Sequence, residues 1–152
     1  MEMETRLAMM KAISDVLETM FFVSVDFAEW HPLPHANYCD SKILIYNEKQ
    51  SIDVRFRLEP AFAKMATANF LGLDEEQVQT DDIADVMREL ANIVGGDFLG
   101  RIKGDGLQLG IPSFEPFEGE MDTVPSKLQL SSMGDFAGVV LWTTGNGIGK
   151  TL

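Results

Sequence analysis

The longest amphipathic segment of the chain covers residues 81–103. At about 100° per residue, a helix over this segment gathers its apolar side chains on one broad stripe, as expected for a helix packed on a core. The stripe consists of Ile83, Val86, Met87, Leu90, Val94 and Phe98. Thr80 can cap the start of this helix, and Arg101 and Lys103 suit its last turn before Gly104. The pattern therefore predicts a long helix whose apolar face is structural.

The opposite face of this helix carries the candidate chemistry. Offsets of three and four residues return to the same face and bring together Asp85, Glu89, Asn92 and Gly96. Leu99 follows on nearly the same line, where water is expected. Each glycine inside a helix costs about 1 kcal/mol relative to alanine. We interpret Gly95 as a site of close packing, and Gly96 as a gap through which another molecule approaches the Asn92 amide. This combination indicates a docking surface.

The first helix, predicted over residues 4–22, shares a pattern with the long helix. Residues 13–22 lie over residues 83–92 with the same amino acids at the first, third and fourth positions, so that Asp15 corresponds to Asp85. In this register Thr19 stands where Glu89 does, and Phe22 stands where Asn92 does. The two helices are either internal repeats, of which only the second keeps the acid and the amide, or unrelated amphipathic helices.

The other segments read mainly as strands. Strict alternation of apolar and polar residues predicts an antiparallel hairpin from residues 42–46 and 51–59, followed by a helix over 61–71 that Pro60 opens and Gly72 ends. Further strands are predicted over residues 107–111, 127–130 and 136–143. Residues 23–40 predict a short strand and a loop, residues 113–125 an exposed loop or a polar strand edge, and residues 145–152 a frayed tail. The predicted fold class is α+β, a mainly antiparallel sheet covered by helices in two layers.

The composition of the chain reduces the number of possible functions. The chain has 152 residues and 45% hydrophobic residues, which suits one domain with a sizeable core. A net charge of −12 argues against nucleic acid or an anionic membrane as a partner. The single cysteine cannot form an internal disulfide, and the first residues lack the features of a signal peptide. We therefore expect a cytoplasmic protein that acts on a protein partner or a small ligand.

Metal binding is not expected. His31, His35 and Cys39 are spaced four residues apart, but Pro32 and Pro34 exclude the helix that would align them. No fourth ligand accompanies them. The sequence therefore predicts no metal site.

The order of elements and the residues DVMRELANIVGG resemble the CheC, CheX and FliY family of chemotaxis phosphatases. The family motif combines Asp or Ser, then Glu, then Asn, with a proline further along the chain. Asp85, Glu89, Asn92 and Pro112 fit this motif, with the proline about two residues closer to the amide than the motif has it. The first helix also looks like the opening helix of CheX-type domains. The resemblance extends over essentially the whole chain and implies a CheX-like fold with a pseudo-two-fold repeat.

The resemblance implies a phosphatase acting on the phosphoaspartate of a CheY-like receiver domain. Asn92 would hold a water in line with the phosphorus, and Glu89 would pair with a lysine of the receiver. Asp85, Gly96 and Leu99 would line the binding surface. The receiver would supply Mg²⁺, so the chain would need no cofactor of its own. An amide suits this role because it donates and accepts hydrogen bonds without titrating near neutral pH.

Two alternative functions are left open, and only the first of them uses the same surface. A non-catalytic module of the same fold would bind a receiver or scaffold protein without hydrolysis, and a structural protein akin to flagellar-switch middle domains would leave the polar face solvated. Resemblance to CheX also implies a homodimer formed through sheet edges, whereas CheC-like relatives act alone. Turnover of a phosphorylated receiver distinguishes the phosphatase from these two alternatives.

Overall fold

The computed structural model describes residues 2–31, 36–102, 106–119 and 124–147. Its elements, in chain order, are α1 (Glu2–Met20), β1 (Asp26–Ala28), β2 (Ala36–Tyr46), β3 (Gln50–Leu58), α2 (Pro60–Leu71), α3 (Thr80–Arg101), β4 (Gln108–Leu109), β5 (Ser113–Gly119), β6 (Ser126–Ser132) and β7 (Asp135–Asn146). A short 3₁₀ turn, Glu75–Gln77, connects α2 to α3.

The seven described strands form one antiparallel sheet. Their order is β1-β6-β7-β3-β2, and both β4 and β5 pair along the outer edge of β2. The order is nearly symmetric about the contact between β7 and β3, because β6 corresponds to β2 and β1 corresponds to the pair β4 and β5. The same near-symmetry relates α1 to α3. The fold is therefore α+β with a pseudo-two-fold repeat, which confirms the predicted fold class.

One hydrophobic core lies between the sheet and the three α-helices. The alternation predicted for β3 is confirmed, since Ile52, Val54, Phe56 and Leu58 are all buried. On α3, five of the six predicted stripe residues are buried, and Ile83 is half-buried. Burying an aliphatic or aromatic side chain contributes roughly 1.5–3 kcal/mol, so this stripe supplies much of the energy that holds α3 on the sheet.

The start of α3 differs in detail from the predicted cap. The residue at the cap position is Gln79, and Thr80 is already helical. The Gln79 backbone N–H donates to the Asp82 carboxylate at 2.9 Å, which satisfies one of the helix's free donors. The last turn contains Arg101 as predicted, whereas Lys103 and Gly104 lie outside the described residues.

The α1 helix is shorter at its end than predicted. It stops at Met20, and Phe22 has a positive φ of 54°, a conformation that bulky residues rarely adopt. The Asn69 side-chain amide donates to the Phe21 carbonyl at 3.0 Å, and the Phe21 ring stacks on Phe70. Contacts with α2 thus end α1, although the helical pattern of the sequence continues.

The β4–β5 region also differs from the prediction. The strand predicted over residues 107–111 is reduced to the two residues of β4, and Ile111 is 92% exposed. The polar strand edge was the correct alternative for Ser113–Gly119, which form β5, and residues 120–123 of the predicted segment lie outside the described residues. Leu109 stands opposite Ile45 and Ser113 opposite Lys42, so three residues face two of β2. This is a β-bulge at residues 110–112.

The remaining strands are longer than predicted. β2 begins at Ala36 rather than at residue 42, and β7 continues to Asn146. The prediction of a frayed tail was therefore wrong for Gly145 and Asn146, which pair with β3. Residues 148–152 of the predicted tail lie outside the described residues.

The α3 helix packs closely on β2 at Gly95. A Cβ atom added there would lie 3.0 Å from Cγ2 of Ile43 and 3.3 Å from Cδ2 of Leu109, both tighter than ordinary contacts. This observation agrees with the interpretation of Gly95 as a packing glycine. It also explains why the helix tolerates the unfavourable propensity of glycine at this position.

Two glycine-to-alanine variants separate packing from helix propensity. We expect Gly100→Ala to raise the free energy of unfolding by about 1 kcal/mol, because a Cβ there has nothing within 4 Å. Gly95→Ala gains the same propensity but crowds Ile43 and Leu109, and overpacking costs about 1–3 kcal/mol. Urea unfolding should therefore give Gly95→Ala a lower free energy of unfolding than the wild type. Equal stability of the two variants would contradict the packing role.

Candidate functional site

The predicted polar face lies on an unbroken helix. Glu89 is exposed and Asn92 is half-buried, and both belong to the continuous α3. Side chains three residues apart on a helix have Cβ atoms about 5–6 Å from each other, so one partner molecule can contact both. Neither side chain is turned into the core.

The Glu89 and Asn92 side chains make no polar contact with the part of the chain that the structure describes. Among the described residues, no hydrogen bond or ion pair engages the Glu89 carboxylate or the Asn92 amide. Surface side chains are commonly solvated, so this freedom alone has no chemical meaning. It does leave both groups available for an incoming molecule without the loss of an internal contact.

Asp85 behaves differently from the other acid of this face. Its carboxylate pairs with the Arg88 guanidinium three residues later, and 72% of the Asp85 side chain is exposed. An exposed pair of this kind contributes roughly 0–1 kcal/mol. Asp85 can therefore exchange Arg88 for a cation of a partner at little cost.

Gly96 has more room than Gly95. A Cβ atom added at Gly96 would meet only Cδ1 of Leu109, at an ordinary 3.5 Å. Packing inside the chain thus accounts for Gly95 but does not require glycine at position 96. The prediction that Gly96 leaves space for a partner is compatible with this geometry.

Leu99 and Pro112 are two further residues that the sequence pattern and the family motif singled out. Leu99 is half-buried and packs against the hydrophobic core, so it is less exposed than its helical position predicted. Pro112 is half-buried in the bulge between β4 and β5, strands that pack against α3.

The equivalent face of α1 is already occupied. Asp15, the counterpart of Asp85, pairs with Arg101 at the end of α3, and Arg101 also pairs with Asp97. These contacts raise the pKa of Arg101, through its hydrogen bond to Asp97 most of all. The Thr19 hydroxyl donates to the Asp15 carbonyl, and Phe22 lies beyond the helix end. Of the two related helices, only α3 carries a carboxylate and an amide on one helical face.

Other chemistries find little support among the described residues. No group of three or more His, Cys, Asp or Glu side chains there is placed to hold a metal ion. His35 lies outside the described residues, and His31 donates its backbone N–H to Gln129. Burial, with a smaller effect of Glu59, raises the pKa of the Cys39 thiol, which disfavours the reactive thiolate.

A second group of charges lies on the sheet face away from the helices. Asp40 on β2 pairs with Arg57 at 3.4 Å and with Arg55 at 3.5 Å, and the Arg57 guanidinium stacks 3.9 Å from the Phe117 ring centre. Burial raises the pKa of the Asp40 carboxyl, and the two arginines act in the opposite direction. This group joins β2, β3 and β5, so its charges are explained by structure.

No described helix combines the length and apolar character needed to span a membrane.

Solved structures with the same fold come from chemotaxis and flagellar proteins. A CheC-like superfamily protein from Shewanella sp. PV-4 superposes with a TM-score of 0.75 at 16% identity, covering 96% of this chain and 100% of that one. A chain of the CheX-CheY-BeF3-Mg²⁺ complex from Borrelia burgdorferi gives 0.67 at 16% identity, covering 91% and 96%. FliY from Thermotoga maritima gives 0.60 at 10% identity, covering 88% and 83%. At these identities the likeness establishes the fold alone.

The fold and the helical face together define a CheC-like α+β domain. The family model described as "Chemotaxis phosphatase CheX" matches residues 43–125, more than half of the chain and the part that includes Glu89 and Asn92. The chain therefore belongs to the CheX family. A comparison with curated protein sequences finds no match.

Proposed function

We propose that this protein binds a CheY-like receiver domain and hydrolyses its aspartyl phosphate. The observation that carries the proposal is the pair formed by Glu89 and Asn92, two unengaged side chains on one accessible face of a continuous helix in a CheX-family chain. One chain of a solved complex that contains CheX and CheY superposes on this fold, which supports a CheY-like partner.

In the proposed reaction, Asn92 positions the attacking water. Its amide carbonyl accepts a hydrogen bond from the water while its NH₂ group can donate to a phosphoryl oxygen. The water oxygen attacks phosphorus in line with the aspartyl oxygen, the bond from phosphorus to that oxygen breaks, and inorganic phosphate and a free aspartate result. Positioning and electrostatics dominate phosphoryl transfer, so a group that only orients the water is sufficient.

Glu89 anchors the helix in this proposal. An exposed carboxylate one turn from Asn92 can pair with a lysine of the receiver and hold the amide over the phosphoryl group. Mg²⁺ is expected on the receiver, where it neutralises phosphoryl charge. The active site is thus completed by its substrate, and this chain contributes one water-positioning side chain and one ionic anchor.

Removing each side chain should have a different effect. We expect Asn92→Ala to lower the first-order rate of receiver dephosphorylation roughly 100-fold, because the water loses its orientation, while receiver affinity stays within about 2-fold. Glu89→Lys should lower the rate and, unlike Asn92→Ala, also weaken receiver binding, because a lysine at position 89 would repel the lysine of the receiver. Decay of a radiolabelled phosphorylated receiver and calorimetric titration measure the two effects.

Glu29→Lys is the matched control for charge. Glu29 is exposed and follows β1, at the sheet edge opposite β4 and β5, and the substitution changes the net charge by the same amount. It should leave both affinity and rate unchanged. Full activity of Asn92→Ala would reject the mechanism, and binding without any turnover by the wild type would identify a non-catalytic receiver-binding module instead.

Gly96→Ala tests the space beside Asn92. The fold should tolerate the methyl group, since its nearest contact is an ordinary one, and the thermal midpoint should stay equal or rise. Receiver affinity should fall, because the methyl group would lie where the partner approaches. A variant that binds the receiver as tightly as the wild type would show that the partner does not contact Gly96.

The homodimer implied by the family resemblance stays a prediction. Among the described strands, β5 has β2 on one side only, so its outer edge offers backbone groups for pairing with another strand.

A further inference from the structure

Ile111 is an apolar residue that the fold presents to solvent on a fixed segment. The residue is 92% exposed, although the alternation of the sequence predicts a buried position. The bulge causes the difference, since residues 110–112 face only Ile43 and Leu44 of β2. Bulges re-aim side chains in this way and are frequent beside active sites.

The segment around Ile111 is held on both sides. The Gly110 backbone N–H donates to the Leu44 carbonyl at 2.7 Å, and Pro112 fixes its own φ immediately afterwards. Ser113 then pairs with Lys42 in the register of β5. A side chain on such a pre-ordered segment loses little backbone entropy when it binds a partner.

This segment lies next to the face that carries the acid and the amide. Leu109 contacts the position of a Cβ at Gly96, and Ile111 follows Leu109 by two residues, at most about 7 Å of chain. Gly96 is in turn four residues, about 6 Å along the helix axis, from Asn92. A standard interface covers about 800 Å² on each partner, which is wide enough to include Asn92 and Ile111 together.

We propose that Ile111 is the apolar anchor of the receiver-binding surface, and that the receiver contacts it with an apolar patch beside its phosphorylation site. The proposal rests on the proposed receiver binding and extends it by one residue outside α3. Continuity with the face of Glu89 and Asn92 argues for this occupant. Glu89 supplies a contact that salt screens, and Ile111 supplies one that salt does not weaken.

The test compares Ile111→Ser with Met133→Ser. Met133 is 94% exposed in the turn between β6 and β7, towards the opposite side of the sheet, so it is a matched apolar control. Each variant is titrated by calorimetry with CheY-like receiver domains of the source organism, loaded with Mg²⁺ and beryllium fluoride as a mimic of the aspartyl phosphate. Titrations are made at 0.05 M and 0.5 M NaCl, and circular dichroism verifies folding.

Ile111→Ser should raise Kd roughly 10-fold at both salt concentrations, and Met133→Ser should change it less than about 2-fold. In steady-state dephosphorylation, Ile111→Ser should raise KM and leave kcat unchanged, because the anchor does not touch the phosphoryl group. Glu89→Ala should instead lose much of its effect at 0.5 M NaCl.

Four results would overturn the proposal. Binding of Ile111→Ser like the wild type, together with inactivity of Asn92→Ala, would support the receiver phosphatase and exclude this anchor. A loss of affinity that disappears at 0.5 M NaCl, or equals that of Met133→Ser, would exclude a specific apolar contact. Failure of the wild type to bind any receiver would reject the proposed function and the anchor together.

Discussion

At Gly95 the long helix approaches β2 so closely that one added carbon atom would crowd Ile43. This contact, together with the buried stripe of the helix, fixes the rotation of α3 about its own axis. Val94 and Phe98 point into the core, and the opposite face must then point to solvent. The position of Glu89 and Asn92 therefore follows from packing on the other side of the same helix, and rearranging that packing would displace both groups at once.

The pseudo-two-fold arrangement shows how two similar helices come to differ. Both α1 and α3 bury an apolar face against the sheet, and both carry an aspartate at corresponding positions. In α1, Asp15 is engaged by Arg101, and contacts with α2 end the helix before the position that corresponds to Asn92. Similar local sequences thus lead to a structural face on α1 and an accessible polar face on α3.

The periodicity of apolar residues was sufficient to predict the elements that form from neighbouring parts of the sequence. The α3 helix and the β2–β3 hairpin could be predicted because their burial alternates with the period of the backbone itself. The shared face of Glu89 and Asn92 followed from spacing, whereas the roles proposed for them came from the family resemblance and not from the pattern.

The features that could not be predicted from the sequence depend on contacts between distant parts of the chain. β5 is held to β2 by backbone pairing, and its exposed Glu115 and Glu118 give no apolar alternation to recognise. A bulge has no composition of its own, so the exposed Ile111 looked like one more inward residue of a strand. The end of α1 depends on the Asn69 amide, which lies 48 positions away from the carbonyl it binds.

The two adjacent glycines also have a consequence for engineering. Gly95 is constrained from inside the molecule, whereas Gly96 has room on the chain's own side and faces the proposed partner. Position 96 is thus suited to a bump-and-hole pair, in which a larger side chain here is matched by a truncated one on a chosen receiver. Such a pair would insulate one signalling channel from its paralogues while the scaffold beneath it stays intact.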